Sequence, residues 1–220
     1  MAARASSRRL LHVGWRCGLV AVAVLLSLAG CGGSRPREIA PLRPARPDGF
    51  RMLVLPAAGV SLSVPRNWTT TRRRGPLLAS ITSGSAIVTL WRHPTKQPPP
   101  ADRRQLELYR AALEHAAQSR AGLERMIGAT LERVDRQPAV VLDALERVAG
   151  ASWRVRSVHI YAPSEELVLE ERAPPKLFAA AERAAFARIL ASLRVAPPRS
   201  SPGSSTTGTS SLPASTSTSG

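Results

Sequence analysis

Thiols are nearly absent from this chain: of its 220 residues only Cys17 and Cys31 are cysteine. That scarcity excludes a disulfide-stapled scaffold and a paired-cysteine metal site, so an exported form must be stabilised by its core. Catalytic signatures are missing as well. There is no Gly-x-Ser-x-Gly elbow, no His-Glu-x-x-His and no phosphate-cradling glycine loop, which removes the commonest serine hydrolase, zinc protease and nucleotide-binding classes. The apolar run over residues 19–28 is too short to span a bilayer. Lysine is represented only by Lys96 and Lys176, although basic residues number 31 against 15 acidic ones.

What is present begins with that apolar run. Arg4, Arg8, Arg9 and Arg16 precede it with no acidic residue, giving the positive region and short hydrophobic region of a secretory signal. The run closes on Leu28-Ala29-Gly30-Cys31, which resembles the lipobox of bacterial lipoproteins. The resemblance implies diacylglyceryl transfer to the Cys31 thiol, cleavage between Gly30 and Cys31, acylation of the new amino terminus, and a place on the extracytoplasmic side of the cell membrane. Cys17 leaves with residues 1–30, so no thiol remains for a disulfide. Each buried methylene of such a lipid contributes about 0.8 kcal/mol, and two or three chains hold firmly where one is marginal.

Removing residues 1–30 leaves 27 basic against 15 acidic residues, a net charge of +12. The excess is uneven: residues 51–100 carry six Arg and Lys96 without one Asp or Glu, whereas residues 101–150 are balanced. Outside a cell the available anions are lipid headgroups, wall polymers and acidic proteins, and nucleic acid drops out as a partner. Arginine-rich, alanine-rich composition also follows from GC-rich coding, so coding bias and an anion-contacting patch both account for the charge. The exposed candidate for such contact is Arg72-Arg73-Arg74, ahead of Gly75-Pro76 in a predicted loop.

Composition divides the remainder into three parts. Residues 31–49, rich in Pro, Gly and Arg, read as lipid anchor and tether, reaching roughly 25 Å as a coil and about 55 Å if extended. Residues 196–220 are dominated by Ser and Thr and read as a disordered tail, an unmodified solvated segment first and an acceptor of O-linked sugars, in a bacterium that makes them, second. Residues 50–195 suffice for one domain. There, Val60, Leu62 and Val64 alternate with serines as a half-buried strand, and residues 77–82 and 86–92 form two more around Ser83-Gly84-Ser85, with His93-Pro94 ending the sheet. Leu106, Tyr109, Leu113 and Ala116 then recur at helical spacing, which predicts a helix capped by Asp102 and running to Arg125. Residues 130–145 read as one long strand passing through Pro138. Residues 152–161 read as a strand that bulges near Ser157 or is covered on both faces, and residues 167–171 as another. Pro174 and Pro175 open a closing helix with a broad apolar face. The order predicts an α+β fold, an antiparallel sheet covered by helices.

A second resemblance rests on three segments in order. Residues 59–68, an apolar strand ending in Pro65-Arg66-Asn67-Trp68, resemble the opening signature of PsbP-like domains and of actinobacterial lipoproteins sharing that fold. Residues 137–142 resemble their middle strand, and residues 173–193 their closing helix. The resemblance implies a PsbP-like α/β/α sandwich, a fold hosting mostly non-catalytic accessory or binding proteins. It carries over no ligand residues and implies no cofactor.

Candidate chemistry is thin. His115 reads as solvent-exposed and His93 as a loop residue. His159 lies in a strand near Tyr161, with Glu165, Glu166 and Glu170 on the expected neighbour, where a carboxylate would partner it. The pairs Glu165-Glu166 and Glu170-Glu171 read as solvated charges that protect a sheet edge. Trp68 reads as structural, Trp91 as half-buried core or the wall of a groove. The expectation is an exported, lipid-anchored, non-catalytic accessory or binding protein with an unidentified envelope partner. A carrier of a small apolar or amphipathic ligand and an envelope hydrolase are the alternatives; the second needs a clustered nucleophile and base, and a Ser or carboxylate beside His159 in space would favour it.

Overall fold

Four two-residue connections dictate most of the topology. In the computed structural model, which describes residues 42–196, β4 (Leu77–Ser83) turns into β5 (Ala86–Pro94), and β6 (Leu123–Val134), β7 (Gln137–Val148), β8 (Ala151–Ala162) and β9 (Glu165–Ala173) follow one another through equally short turns. Such turns force neighbouring strands to run antiparallel, and positive φ at both central residues matches the twist of the pair. Asp135 and Arg136 (φ 46° and 69°) and Ala149 and Gly150 (φ 50° and 81°) supply it. Gly84 is required for space too, since a Cβ there would sit 2.5 Å from the Arg43 carbonyl.

With β3 (Thr69–Arg72) the large sheet has the order β3-β4-β5-β9-β8-β7-β6, entirely antiparallel. A smaller sheet, β1-β2-β10, combines β1 (Phe50–Leu55), β2 (Val60–Pro65) and β10 (Arg194–Val195). Helix α1 (Arg103–Gln118) covers one face of the large sheet through Leu106, Tyr109, Leu113 and Ala117, against Val140, Leu142 and Tyr161. The other face carries the main core, capped by α2 (Pro175–Ala181), a π-helical turn (Glu182–Phe186) and α3 (Ala187–Ala191). Phe178, Phe186, Ile189 and Leu193 there meet Leu62, Ile81, Leu90, Ile160 and Leu169, all fully buried. Trp68 joins them edge-on to Phe186 at 6.3 Å. This is the expected antiparallel sheet between helical layers, and β8 is covered on both faces with unbroken register, so no bulge is needed near Ser157.

Several boundaries differ from the sequence expectation. Asp102 does cap α1, its Oδ1 accepting from the Gln105 amide at 2.8 Å, but the helix stops at Gln118. Gly122 adopts φ 94°, where a Cβ would sit 2.7 Å from the Arg147 carbonyl, and the chain leaves as strand β6 rather than continuing to Arg125. The predicted strand through Pro138 is a hairpin, because Asp135 and Arg136 make the turn that glycine or asparagine usually makes. The sheet also outlasts His93-Pro94: β5 pairs through Pro94 with Glu165, so His93 is a strand residue.

The predicted tether is shortened by its last eight residues. Residues 42–49 lie against the domain: the Leu42 carbonyl accepts from Ser85, Ala45 binds Ser83, Arg46 accepts from Asn67, and the Trp68 indole N–H donates to the Ala45 carbonyl at 2.9 Å. Residues 1–41, including Gly30, Cys31 and the remaining tether, and the tail from residue 197 lie outside the described residues.

Candidate functional site

Register across three strands builds the most unusual feature of the molecule. Asp143 on β7, Arg156 on β8 and Glu171 on β9 are direct cross-strand partners and so form one row across the large sheet, on the face packed by the C-terminal helix. Glu182, first residue of the π-helical turn, reaches down to Arg156 at 2.6 Å. Arg154, two residues along the same face, holds Asp143 through both its Nε (2.9 Å) and Nη2 (2.6 Å). The Phe178 ring lies beneath both guanidiniums, 4.6 Å from Arg154 and 5.4 Å from Arg156, a contact that gains strength as water is excluded.

Glu171 is the strained member. Its side chain is 0% exposed, neither oxygen has a hydrogen-bond partner, and the nearest cation, Arg156 Nη1, stands 3.7 Å away. Burial first, then the Glu182 charge, pushes its carboxyl up to about 8 against the opposing pull of Arg156, with Asp143 and Glu132 adding to the rise. At neutral pH it therefore holds a proton inside the sheet. The outer end of the row opens on a cleft of about 300 Å³ lined by Ile127, Gly128, Thr130, Glu132, Val141, Asp143, Arg156 and Leu190.

This row overturns the reading of the β9 carboxylates as edge charges. Strand β9 is central, Glu165 and Glu171 face the helix-covered side, and Glu165 is bound by Arg92 at 2.5 Å. Glu165 is buried against the Arg92 guanidinium, whereas Glu171, which only faces Arg156 at 3.7 Å, is accommodated by keeping its proton. The sequence does hold a signal for it: Glu171 is in phase with Leu167 and Leu169, and Arg154 and Arg156 with Val158 and Ile160.

On the opposite face the expected partner of His159 is found. Its Nδ1 lies 2.7 Å from Glu166 Oε1, while Nε2 is buried without any hydrogen-bond partner. Among the described residues no group hydrogen-bonds Nε2, so the Glu166 carboxylate alone fixes the ring in the sheet. Tyr161 and Tyr109 stack edge-on at 4.8 Å beside a small cavity of about 60 Å³ shared with Glu166, and burial raises the Tyr161 hydroxyl pKa, aided by Glu166 and Tyr109. His93 and His115 are exposed, and among the described residues no three His, Cys, Asp or Glu side chains are arranged to hold a metal. Trp91 is half-buried, donating to Thr89 at 3.0 Å. Arg72 ends β3 and Arg73 and Arg74 begin the turn to β4; all three are exposed and none is ion-paired with a described carboxylate.

No protein-family model and no curated protein matches the sequence. Solved structures do: cyanobacterial PsbP (CyanoP) from Synechocystis sp. PCC 6803 aligns over 77% of this chain and 99% of that one, with TM-score 0.50 and 12% identity. The fold is PsbP-like. The LpqN protein of Mycobacterium tuberculosis, described as involved in cell envelope biogenesis, aligns at TM-score 0.47 and 16% identity over 68% of this chain and 87% of its own. A Bacteroides thetaiotaomicron protein aligns at TM-score 0.47 and 10% identity over 67% of this chain, which spans about half of that longer protein, 48%. Within the PsbP-like sandwich, the three segments that carried the resemblance are β2 with Trp68, the start of β7, and the helix closing the main core. At these identities the likeness extends to the fold.

Proposed function

We propose that the protein is an exported lipoprotein, held on the extracytoplasmic side of the membrane through Cys31, whose PsbP-like domain is a non-catalytic accessory or binding module of the cell envelope. The observation that carries this reading is the ordered sequence of arginines, short apolar run and Leu28-Ala29-Gly30-Cys31. Cells given a labelled palmitate should incorporate it into the full-length chain and retain the chain in membranes. Cys31→Ser should abolish the label and leave either an unprocessed precursor or protein in the medium. A variant still labelled, processed and membrane-bound would refute the anchor.

The filled core supports a surface-binding module over a carrier of apolar cargo. Over β4, β5, β8 and β9 the space beneath the C-terminal helix is occupied by fully buried Phe, Leu and Ile side chains, and the cleft of about 300 Å³ left over β6 and β7 is lined in part by the charged Glu132, Asp143 and Arg156. Partner contacts then fall on the surface, and Arg72, Arg73 and Arg74 offer one to anionic lipid or wall polymer. Each basic residue near an anionic membrane contributes about 1 kcal/mol. Replacing all three by Ser in the Cys31→Ser chain should weaken binding to anionic vesicles by roughly a hundredfold at low salt, as read by co-sedimentation. Equal binding would assign the arginines to coding bias.

A further inference from the structure

Strand β6 ends the large sheet, and among the described residues no strand is bonded to its outer edge. It is twelve residues long, whereas the opposite edge, β3, has four. Two register shifts interrupt its pairing with β7, leaving Glu124 and Ile127 as extra residues. Bulges and charges are ordinary devices against open-ended edge pairing. Here they also write a self-complementary pattern.

The sequence of β6, Leu-Glu-Arg-Met-Ile-Gly-Ala-Thr-Leu-Glu-Arg-Val, repeats Leu-Glu-Arg near its two ends. An antiparallel pair of identical strands related by a two-fold axis must place residues of the same face opposite each other. By their β7 partners, Met126, Ala129 and Leu131 lie on the α1 face and Arg125, Gly128, Thr130 and Glu132 on the other. With the axis at Ala129, an unbulged strand would set Arg133 against Arg125 of the partner subunit, two like charges. The extra residue at Ile127 moves this by one position. Leu131 then faces Met126 of the partner subunit, and Glu132 faces Arg125 of the partner subunit, each pair occurring twice.

We infer that β6 is a homodimer interface, pairing with β6 of a second copy in the register centred on Ala129 to join the two seven-stranded sheets. The residues concerned are available: Arg125, Gly128, Thr130 and Glu132 are exposed, and Ile127 is 44% exposed. Clefts of about 300 Å³ and 560 Å³ lie on either side of the strand, one between Ile127 and Leu190 and the other between Leu131 and Leu106, leaving room for a partner's side chains. A two-fold interface uses each edge once, so association stops at two. This surface is separate from the arginine loop, which joins β3 and β4 at the other edge of the sheet.

The test exploits the absence of cysteine from residues 32–220. Ala129→Cys in the full-length chain, treated in whole cells with a short bismaleimide, should give a dimer band absent from the parent. Leu108→Cys, 66% exposed on α1, is the accessible control and should not. Adding Glu132→Arg to Ala129→Cys should weaken dimerisation by about tenfold, and adding Arg125→Glu as well should restore it. No band at Ala129→Cys, an equal band at Leu108→Cys, or indifference to Glu132→Arg would each overturn the interface. The band is read in both membrane and medium, so a failure of lipid anchoring does not obscure it.

Discussion

Replacing Glu171 by Gln should make the protein more stable at alkaline pH and flatten its stability profile. A carboxyl that ionises at about 8 in the fold instead of its ordinary 4.5 binds a proton that the unfolded chain has lost. Stability from this group is therefore complete below pH 4.5, falls as pH rises, and levels off above 8. At about 1.4 kcal/mol per pH unit the full span is on the order of 5 kcal/mol. The cause is burial without a hydrogen bond, with Glu182, Asp143 and Glu132 near and Arg156 alone opposing. Urea unfolding at pH 5 and pH 9 should show wild type losing several kcal/mol more than the variant between the two. Parallel profiles would mean that the row relaxes on ionisation, by water entry or movement of Glu182.

Phe186→Ala should cost about 3–5 kcal/mol, the range for removing a buried aromatic side chain. The ring is fully buried, meets Trp68 and Phe178 edge-on at 6.3 and 5.6 Å, and sits at the end of the π-helical turn. Edge-on pairs add about 0.5–1.5 kcal/mol beyond buried area, so two are lost together. For a domain of this size the melting temperature should fall by roughly 10 °C or more. A drop of only a degree or two would show that the helix slides to refill the space, which the extra residue of a π turn makes easier than in a regular helix.

Sequence reading recovered the layers and missed particular joints, for reasons that are local. Strand β2 was legible because Val60, Leu62 and Val64 alternate cleanly, and the Gly84 turn because only glycine fits beside the Arg43 carbonyl. Strand β1 was not, since Leu53 is its one buried residue and a strand with one inward side chain shows no alternation. The β6–β7 hairpin was hidden by a turn made from Asp135 and Arg136. For the candidate row the failure was a matter of weighting: adjacent glutamates were read as solvated, although the period-two pattern puts one of each pair on the inner face. Whether a charge in phase with leucines is buried depends on an arginine on the neighbouring strand. That pairing is set by tertiary register, which no window of sequence displays.

The junction between β5 and β9 has a kinetic consequence. Every other contact between neighbouring strands of the large sheet joins segments adjacent in sequence, whereas this one brings Pro94 to Glu165 and Ile87 to Arg172. Hairpins between adjacent segments close in microseconds, and the entropy of closing a long loop grows only as the logarithm of its length. The chain can thus assemble a β3–β5 block and a β6–β9 block independently, and meets one long-range closure when they join. Until that moment Leu90 of β5 and Leu169 of β9 each pack only within their own block and lack one another across the seam, so the centre of the finished sheet is expected to be the last part of it to close.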